Sequence, residues 1–382
     1  TENNIIVVTL QYRLGAFGFL TLPGMDESAG NFGVTDTEAA LAWVRRNIAD
    51  FGGDADNVVL MTESAGSTNA CRILVDPKAK GLVDGVILQS EDCIHDVDTV
   101  KQAQARSEQF LKLTKCDEAK DALSCVRKLT TEQVAAASKS VGLWNPVSDV
   151  PAVEAIRQGK WIKVPVLSGS NKEEGRSAGT AYTDWNAKDY EAWVKRLVGK
   201  NAPEALKLYP ADKYQGKYAI SYVIGDFITD SGMRGLGGCT NLTLAQELSK
   251  DKSVATYIYT FEDSTVPTSR KFADYDDAAS HASELTYFFP DAGQYQARSV
   301  KMTEAQKVLA KEMRQYWGNF IKTQNPNGKS LPQWKRFSDD GGSMMALRLN
   351  GQSQSVPASY FSDLHQCKFW HSIPIVLDRG DR

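Results

Sequence analysis

The chain predicts an α/β architecture with a mostly parallel central sheet, doubly wound, and helices on both faces. Two observations point there. Short, uninterrupted apolar runs of the kind found in strands buried on both faces alternate with helical patterns. One of those runs ends abruptly at Ser64, in a turn built of small residues that opens straight into a helix.

The elements follow in order. Ile5 to Leu10 is β-rich and apolar, and reads as a buried parallel strand. A glycine-rich turn is expected at Gly15 to Gly18. Thr35 to Arg46 reads as a helix with Ala39, Ala40, Leu41, Trp43 and Val44 on its apolar side, broken by Phe51-Gly52-Gly53-Asp54. Val58 to Met61 returns to strand, Ala65 to Leu74 to helix and Val83 to Leu88 to strand. Val97 to Gln133 is helical and charged. A strand at Val164 to Leu167 leads into the loop Gly169 to Gly175. Lys188 to Ile224 is helical and aromatic, interrupted by Pro203 and Pro210. It is expected to pack over the sheet as a lid-like insertion over about residues 185–235, with Trp185 and Trp193 on it. Val254 to Phe261 is the clearest late strand, and Glu304 to Lys322 is an amphipathic helix. No repeat or low-complexity linker divides the chain, so 1–382 reads as one catalytic domain.

Composition narrows the function classes. The net charge of −3 and the scattered Lys and Arg give no nucleic-acid footprint. No window is apolar for long enough to span a membrane. Six cysteines permit three disulfides, and no C-x-x-C pair suggests a zinc or redox site, so no metal or cofactor is expected. Asn241-Leu242-Thr243 is a glycosylation sequon. With the even cysteine count it leans toward a secretory, disulfide-permissive setting.

The chemistry centres on Ser64 in Met61-Thr62-Glu63-Ser64-Ala65-Gly66. A strand ending in such a turn lifts a hydroxyl clear of the sheet, as in the G-x-S-x-G nucleophile elbow. The Ala65 N–H is then placed to donate to an oxyanion. A serine nucleophile needs a base, and the base needs an orienting acid. Of four histidines, His281 lies in a polar loop of small residues beyond the strand that ends at Phe261. His95 reads as a surface residue, and His365 and His371 read as structural. For the acid, Glu173 and Glu174 both lie between serine and histidine in a glycine-bounded loop, with Asp149 and Asp226 as weaker rivals.

Longer blocks then carry a resemblance. Tyr12 to Leu20 resembles the Y-R-x-G-x-x-G-F block of the type-B carboxylesterases, the cholinesterase-like family. Gly30 to Asp36 resembles its G-N-x-G-x-x-D segment, and Ala42-Trp43-Val44 with Asn47-Ile48 its A-L-x-W-V-x-x-N-I helix. Phe51-Gly52-Gly53-Asp54 and Glu63-Ser64-Ala65-Gly66 continue the match in the same order. The resemblance implies an α/β-hydrolase fold and a serine hydrolase of carboxylic esters, with a small-molecule ester as substrate. It selects Ser64 as nucleophile, Glu174 within Gly169 to Gly175 as the acid, and His281 within Ser280 to Phe289 as the base. It also implies disulfides Cys116–Cys125 and Cys239–Cys367, which leaves Cys71 and Cys93 as a third pair. Trp144 resembles a residue lining the acyl pocket, and Glu63 adjoins the nucleophile; both are substrate-pocket candidates.

The chain also departs from the family. Thr62 stands where a glycine relieves crowding under the elbow, and strain is expected there. Glu91 stands where a glycine follows Gln89-Ser90, placing a charge near the pocket. The H-G-G stretch that supplies most of the family's oxyanion hole is absent. The chain is therefore expected to be N-terminally incomplete, a piece of a longer protein or one completed by another segment. Two further readings stand beside the esterase: a cholinesterase-like adhesion or binding protein without catalysis, and an inactive fragment.

Overall fold

A computed structural model describes residues 3–25, 29–95, 97–266, 274–289, 301–338 and 342–374. Its sheet has six strands: β1 Val59–Glu63, β2 Gly85–Gln89, β3 Val166–Asn171, β4 Thr256–Phe261, β5 Ser343–Leu347 and β6 Gln354–Pro357. They lie side by side in chain order, the first five parallel and β6 antiparallel to β5. Helices cover both faces, as the doubly wound reading requires, and among the described strands the order follows the chain without reversal. The mostly parallel sheet stands.

The helices are α1 Gly15–Phe19, α2 Phe32–Asn47, α3 Ala65–Val75, α4 Val100–Thr114, α5 Ala122–Val126, α6 Thr131–Val141 and α7 Ala152–Arg157. After β3 come α8 Ala187–Val198, α9 Ala202–Leu208, α10 Ala219–Ser231 and α11 Gly238–Ser249. After β4 come α12 Leu285–Phe288, α13 Glu304–Thr323, α14 Ala358–Leu364 and α15 Cys367–Trp370.

Alternation along the strands sorts the core into layers, because successive side chains leave opposite faces. Leu60, Val86, Leu88 and Val166 point to one face, where they meet Leu41 of α2, Ile73 and Leu74 of α3, Ile156 of α7 and Leu244 of α11. Ile87, Leu167, Tyr257, Tyr259 and Met345 point to the other, against Leu309, Met313, Trp317 and Phe320 of α13. Every residue of β2, β3 and β4 is buried, as a parallel sheet covered on both sides requires. A third cluster joins α8 and α10 to the late strands: Trp193, Phe227 and Trp370 pack with Ile258 and Met344, and Trp185 lies against them.

Two early expectations are corrected. Ile5 to Leu10 joins no strand ladder among the described residues, and Ile6, Val7 and Val8 stay exposed. The run has strand composition, but Asn3 just before it is tied to α13 through its side-chain amide and the Arg314 carbonyl (2.8 Å), away from any ladder. The turn at Gly15 to Gly18 is instead the short helix α1, and a Cβ on Gly18 would fall 2.2 Å from the Arg13 carbonyl oxygen.

Disulfides join Cys71 to Cys93, Cys116 to Cys125 and Cys239 to Cys367. Asn241 is buried on α11 with both amide atoms shielded from solvent, so its sequon is closed to a glycan, which needs a surface acceptor. His95 is likewise buried, not superficial. Its Nδ1 meets Asp92 Oδ2 at 2.8 Å. Burial would raise the Asp92 carboxyl, but the charge and hydrogen bond of His95 hold it down at about 2. His365 pairs with Asp230 at 2.7 Å in the core, and His371 is exposed near the Cys239 carbonyl.

Candidate active site

The strand order brings three loops to one edge of the sheet, at the carboxyl ends of β1, β3 and β4. The first carries Ser64, whose backbone sits at φ 52°, ψ −123°, a conformation costly for any residue with a Cβ. Its N–H donates to the Gln89 carbonyl (3.0 Å), and its own carbonyl accepts from Thr68 N–H (3.1 Å) as α3 begins. The strained turn is therefore fastened on both sides.

Thr62 does not crowd this turn. Its Oγ1 donates to the Ile87 carbonyl and lies 2.9 Å from Ser67 Oγ, which in turn donates to the Gln89 carbonyl. A Cβ on Gly66 would meet Thr62 Cβ at an ordinary 3.6 Å. The expected strain is absent because the hydroxyl is used as a tie beneath the elbow.

The acid rides on the loop after β3. Glu174 is fully buried, with Oε1 accepting from Ser90 Oγ (2.6 Å) and the Asn171 N–H (2.7 Å). Oε2 faces His281 Nδ1 at 2.8 Å, and His281 Nε2 faces Ser64 Oγ at 2.7 Å. Glu173 points elsewhere. It accepts from the Ala279 N–H (3.0 Å) and from Ser264 Oγ, holding the histidine loop by its backbone. Asp149 caps α4 and Asp226 pairs with Arg176 and Lys213, so neither rival reaches the histidine.

Electrostatics around His281 are dominated by carboxylates. Burial alone would lower its pKa, but the hydrogen bond and charge of Glu174, with the charges of Glu63 and Glu284, outweigh it and raise the imidazole to about 9. Glu63 Oε1 lies 3.4 Å from His281 Nε2. Burial pushes the Glu63 carboxyl well above the usual carboxylate range, and Glu284 and Glu174 add to that. Glu284 is itself tethered, accepting from Gln89 Nε2 (2.9 Å) and Asn171 Nδ2 (2.6 Å). Trp317 Nε1 closes the chain on Gln89 Oε1 (3.1 Å).

Glu63 therefore adjoins the His281 imidazole, and Trp144 packs in a separate cluster. Its indole N–H donates to the Ser138 carbonyl and its ring edges Phe110 in the cluster formed by α1, α4 and α6. Glu91 is buried, accepting from Thr68 Oγ1 (2.9 Å) and the Asp92 N–H. Ala65 is the first residue of α3 and exposed, where a helix leaves its N–H groups without intrahelical acceptors. Ser90, Asn171, Gln89 and Glu284 were not singled out from sequence. Each lies inside a matched block, so position within those blocks was the available signal.

A parallel sheet with a strained serine elbow after one strand, an acid after another and a histidine after a third defines an α/β hydrolase. The chain belongs to the carboxylesterase family, whose model matches residues 1–370. It is 27% identical to cocaine esterase of Homo sapiens over 412 residues, 96% of this chain and 66% of that protein. It is 26% identical to cholinesterase of Mus musculus, over 98% of this chain and 65% of that protein. A thermophilic PNB esterase superposes with a TM-score of 0.76 at 26% identity, covering 96% of this chain and 74% of that one. The chain thus spans about two-thirds of the length of the curated relatives it matches.

Proposed function

We propose that the protein hydrolyses small carboxylic esters through an acyl-enzyme. Ser64 Oγ attacks the ester carbonyl while His281 Nε2 takes its proton. The tetrahedral oxyanion collects on the Ala65 N–H, and the alcohol leaves with the proton returned by His281. Water then repeats the sequence on the acyl-serine. Glu174 fixes the imidazole with Nε2 toward the serine and stabilises the imidazolium as it forms. The unbroken line from Ser64 through His281 to Glu174 carries this reading.

The names of the relatives support the ester as substrate class. Helices α8 to α10 would form a lid-like wall within a single catalytic domain. Three disulfides support a secreted or secretory-pathway protein, and no helix among the described residues is long and apolar enough to cross a membrane.

One observation favours a second reading, a chain silent until completed. Among the described strands β1 has a neighbour on one side only, and the exposed Ile6, Val7 and Val8 join no ladder among the described residues. A further segment covering that edge would also supply oxyanion donors beyond Ala65. Labelling with a serine-directed fluorophosphonate separates the readings. Modification at Ser64, abolished in Ser64→Ala, supports the esterase. An unmodified Ser64 in the folded chain supports the incomplete or non-catalytic alternatives.

A further inference from the structure

The Cys71–Cys93 disulfide joins two pieces of chain that the proposed chemistry needs held together. Cys71 lies on α3 about two turns beyond Ser64. Cys93 lies on the loop after β2, three residues past Ser90, the hydroxyl donor to Glu174. The bridge closes a ring with a sequence separation of 22 that contains all of β2. Both cysteines are fully buried.

The same seam is stitched by hydrogen bonds from the first turns of α3. Ser64 N–H and Ser67 Oγ both donate to the Gln89 carbonyl, and Thr68 Oγ1 donates to Glu91. Within this short loop the backbone turns left-handed twice, at Ser90 (φ 57°) and Cys93 (φ 55°). Residues with a Cβ hold that conformation only when their surroundings over-determine it. Ser90 adopts it while its hydroxyl donates to Glu174, and Cys93 is covalently pinned at the other end. Of the remaining disulfides, Cys116–Cys125 fastens α5 to the segment after α4 and does not involve this seam, whereas Cys239–Cys367 joins α11 to α15 beside Thr240, whose side chain hydrogen-bonds Asp92 in the loop.

We propose that Cys71–Cys93 is a positioning clasp for the proton relay, holding the loop from Ser90 to Cys93 in the left-handed path that presents Ser90 Oγ to Glu174 Oε1. The clasp touches no substrate. It acts through Ser90, and the inference rests on the esterase reading.

The test is a double-mutant cycle on the full chain, following hydrolysis of a chromogenic aryl acetate. Ser90→Ala removes a hydrogen bond to a carboxylate and should lower kcat about tenfold with KM within about twofold. Cys71→Ala/Cys93→Ala should lower kcat to a similar extent. The triple variant should fall no further, because both changes break one linkage. Cys71→Ala/Cys93→Gly should recover part of the loss, since glycine takes the left-handed path freely. Cys116→Ala/Cys125→Ala, which opens a disulfide far from the elbow, should keep kcat. Losses that multiply in the triple variant overturn the proposal, as does a cysteine pair that loses thermal stability but keeps kcat. A failure of both cysteine pairs to fold makes the bridge a folding element and also overturns it. If the parent chain neither hydrolyses the ester nor takes a fluorophosphonate at Ser64, the esterase reading fails first and this inference with it.

Discussion

Glu173 and Glu174 are chemically identical neighbours, and the structure gives them unrelated tasks. Only Glu174 reaches the imidazole, while Glu173 holds the backbone at Ala279. Glu174→Gln should cut kcat on the order of 10⁴-fold by analogy with the triad acid of serine proteases, whereas Glu173→Gln should act mainly on thermal stability. Steady-state kinetics with melting curves distinguish the two, and equal losses of kcat would contradict the assignment. Glu63 makes a second residue-scale prediction. A His281 raised to about 9 is protonated at neutral pH, and only its neutral form accepts the serine proton. Activity should therefore climb with pH toward about 9. Removing one of the acids that raise it, in Glu63→Gln, should move the midpoint of kcat/KM to lower pH, with Glu174 and Glu284 still in place. An unmoved or raised midpoint would sink that account. Sequence spacing left Glu173 and Glu174 level, because both satisfy chain order. Only the loop's backbone decides which carboxylate faces inward.

At the scale of elements, α13 does two jobs. Its apolar stripe was plain in the sequence, and its start carries a capping box in which Thr303 and Gln306 exchange side-chain and backbone hydrogen bonds. Thr303→Ala should cost about 1 kcal/mol, read as a lower denaturant midpoint with kcat retained. Trp317 also reaches through the core to Gln89 and so to Glu284. Trp317→Ala should cost about 3–5 kcal/mol and lower kcat as well, because Gln89 then loses the donor that orients it. The tie from Trp317 to Gln89 spans 228 residues and has no periodic signature, so reasoning from local pattern had no access to it. β5 and β6 were not read for a related reason. Ser343-Met344-Met345-Ala346-Leu347 lacks the β-branched residues that mark a strand, and it is strand only because β4 and β6 flank it. Ile5 to Leu10 shows the converse, a strand-like composition that joins no ladder among the described residues.

For the molecule as a whole, the side of β1 that no described strand covers and the exposed Ile6, Val7 and Val8 predict behaviour in solution. An unpaired edge beside apolar side chains invites association. The isolated chain should scatter light increasingly with concentration, and Val7→Lys should suppress that without changing the melting temperature appreciably. Scatter unaffected by the charge would place the sticky surface elsewhere. The sheet's simple order has a further consequence. Each strand pairs with the one made just before it, so the sheet can grow along its length while the chain leaves the ribosome. Ser64 and His281 are separated by 217 residues, and at roughly 5–20 residues per second the histidine emerges roughly ten to forty seconds after the serine. Through that interval Ser64 is made without the histidine that its hydroxyl meets in the finished fold.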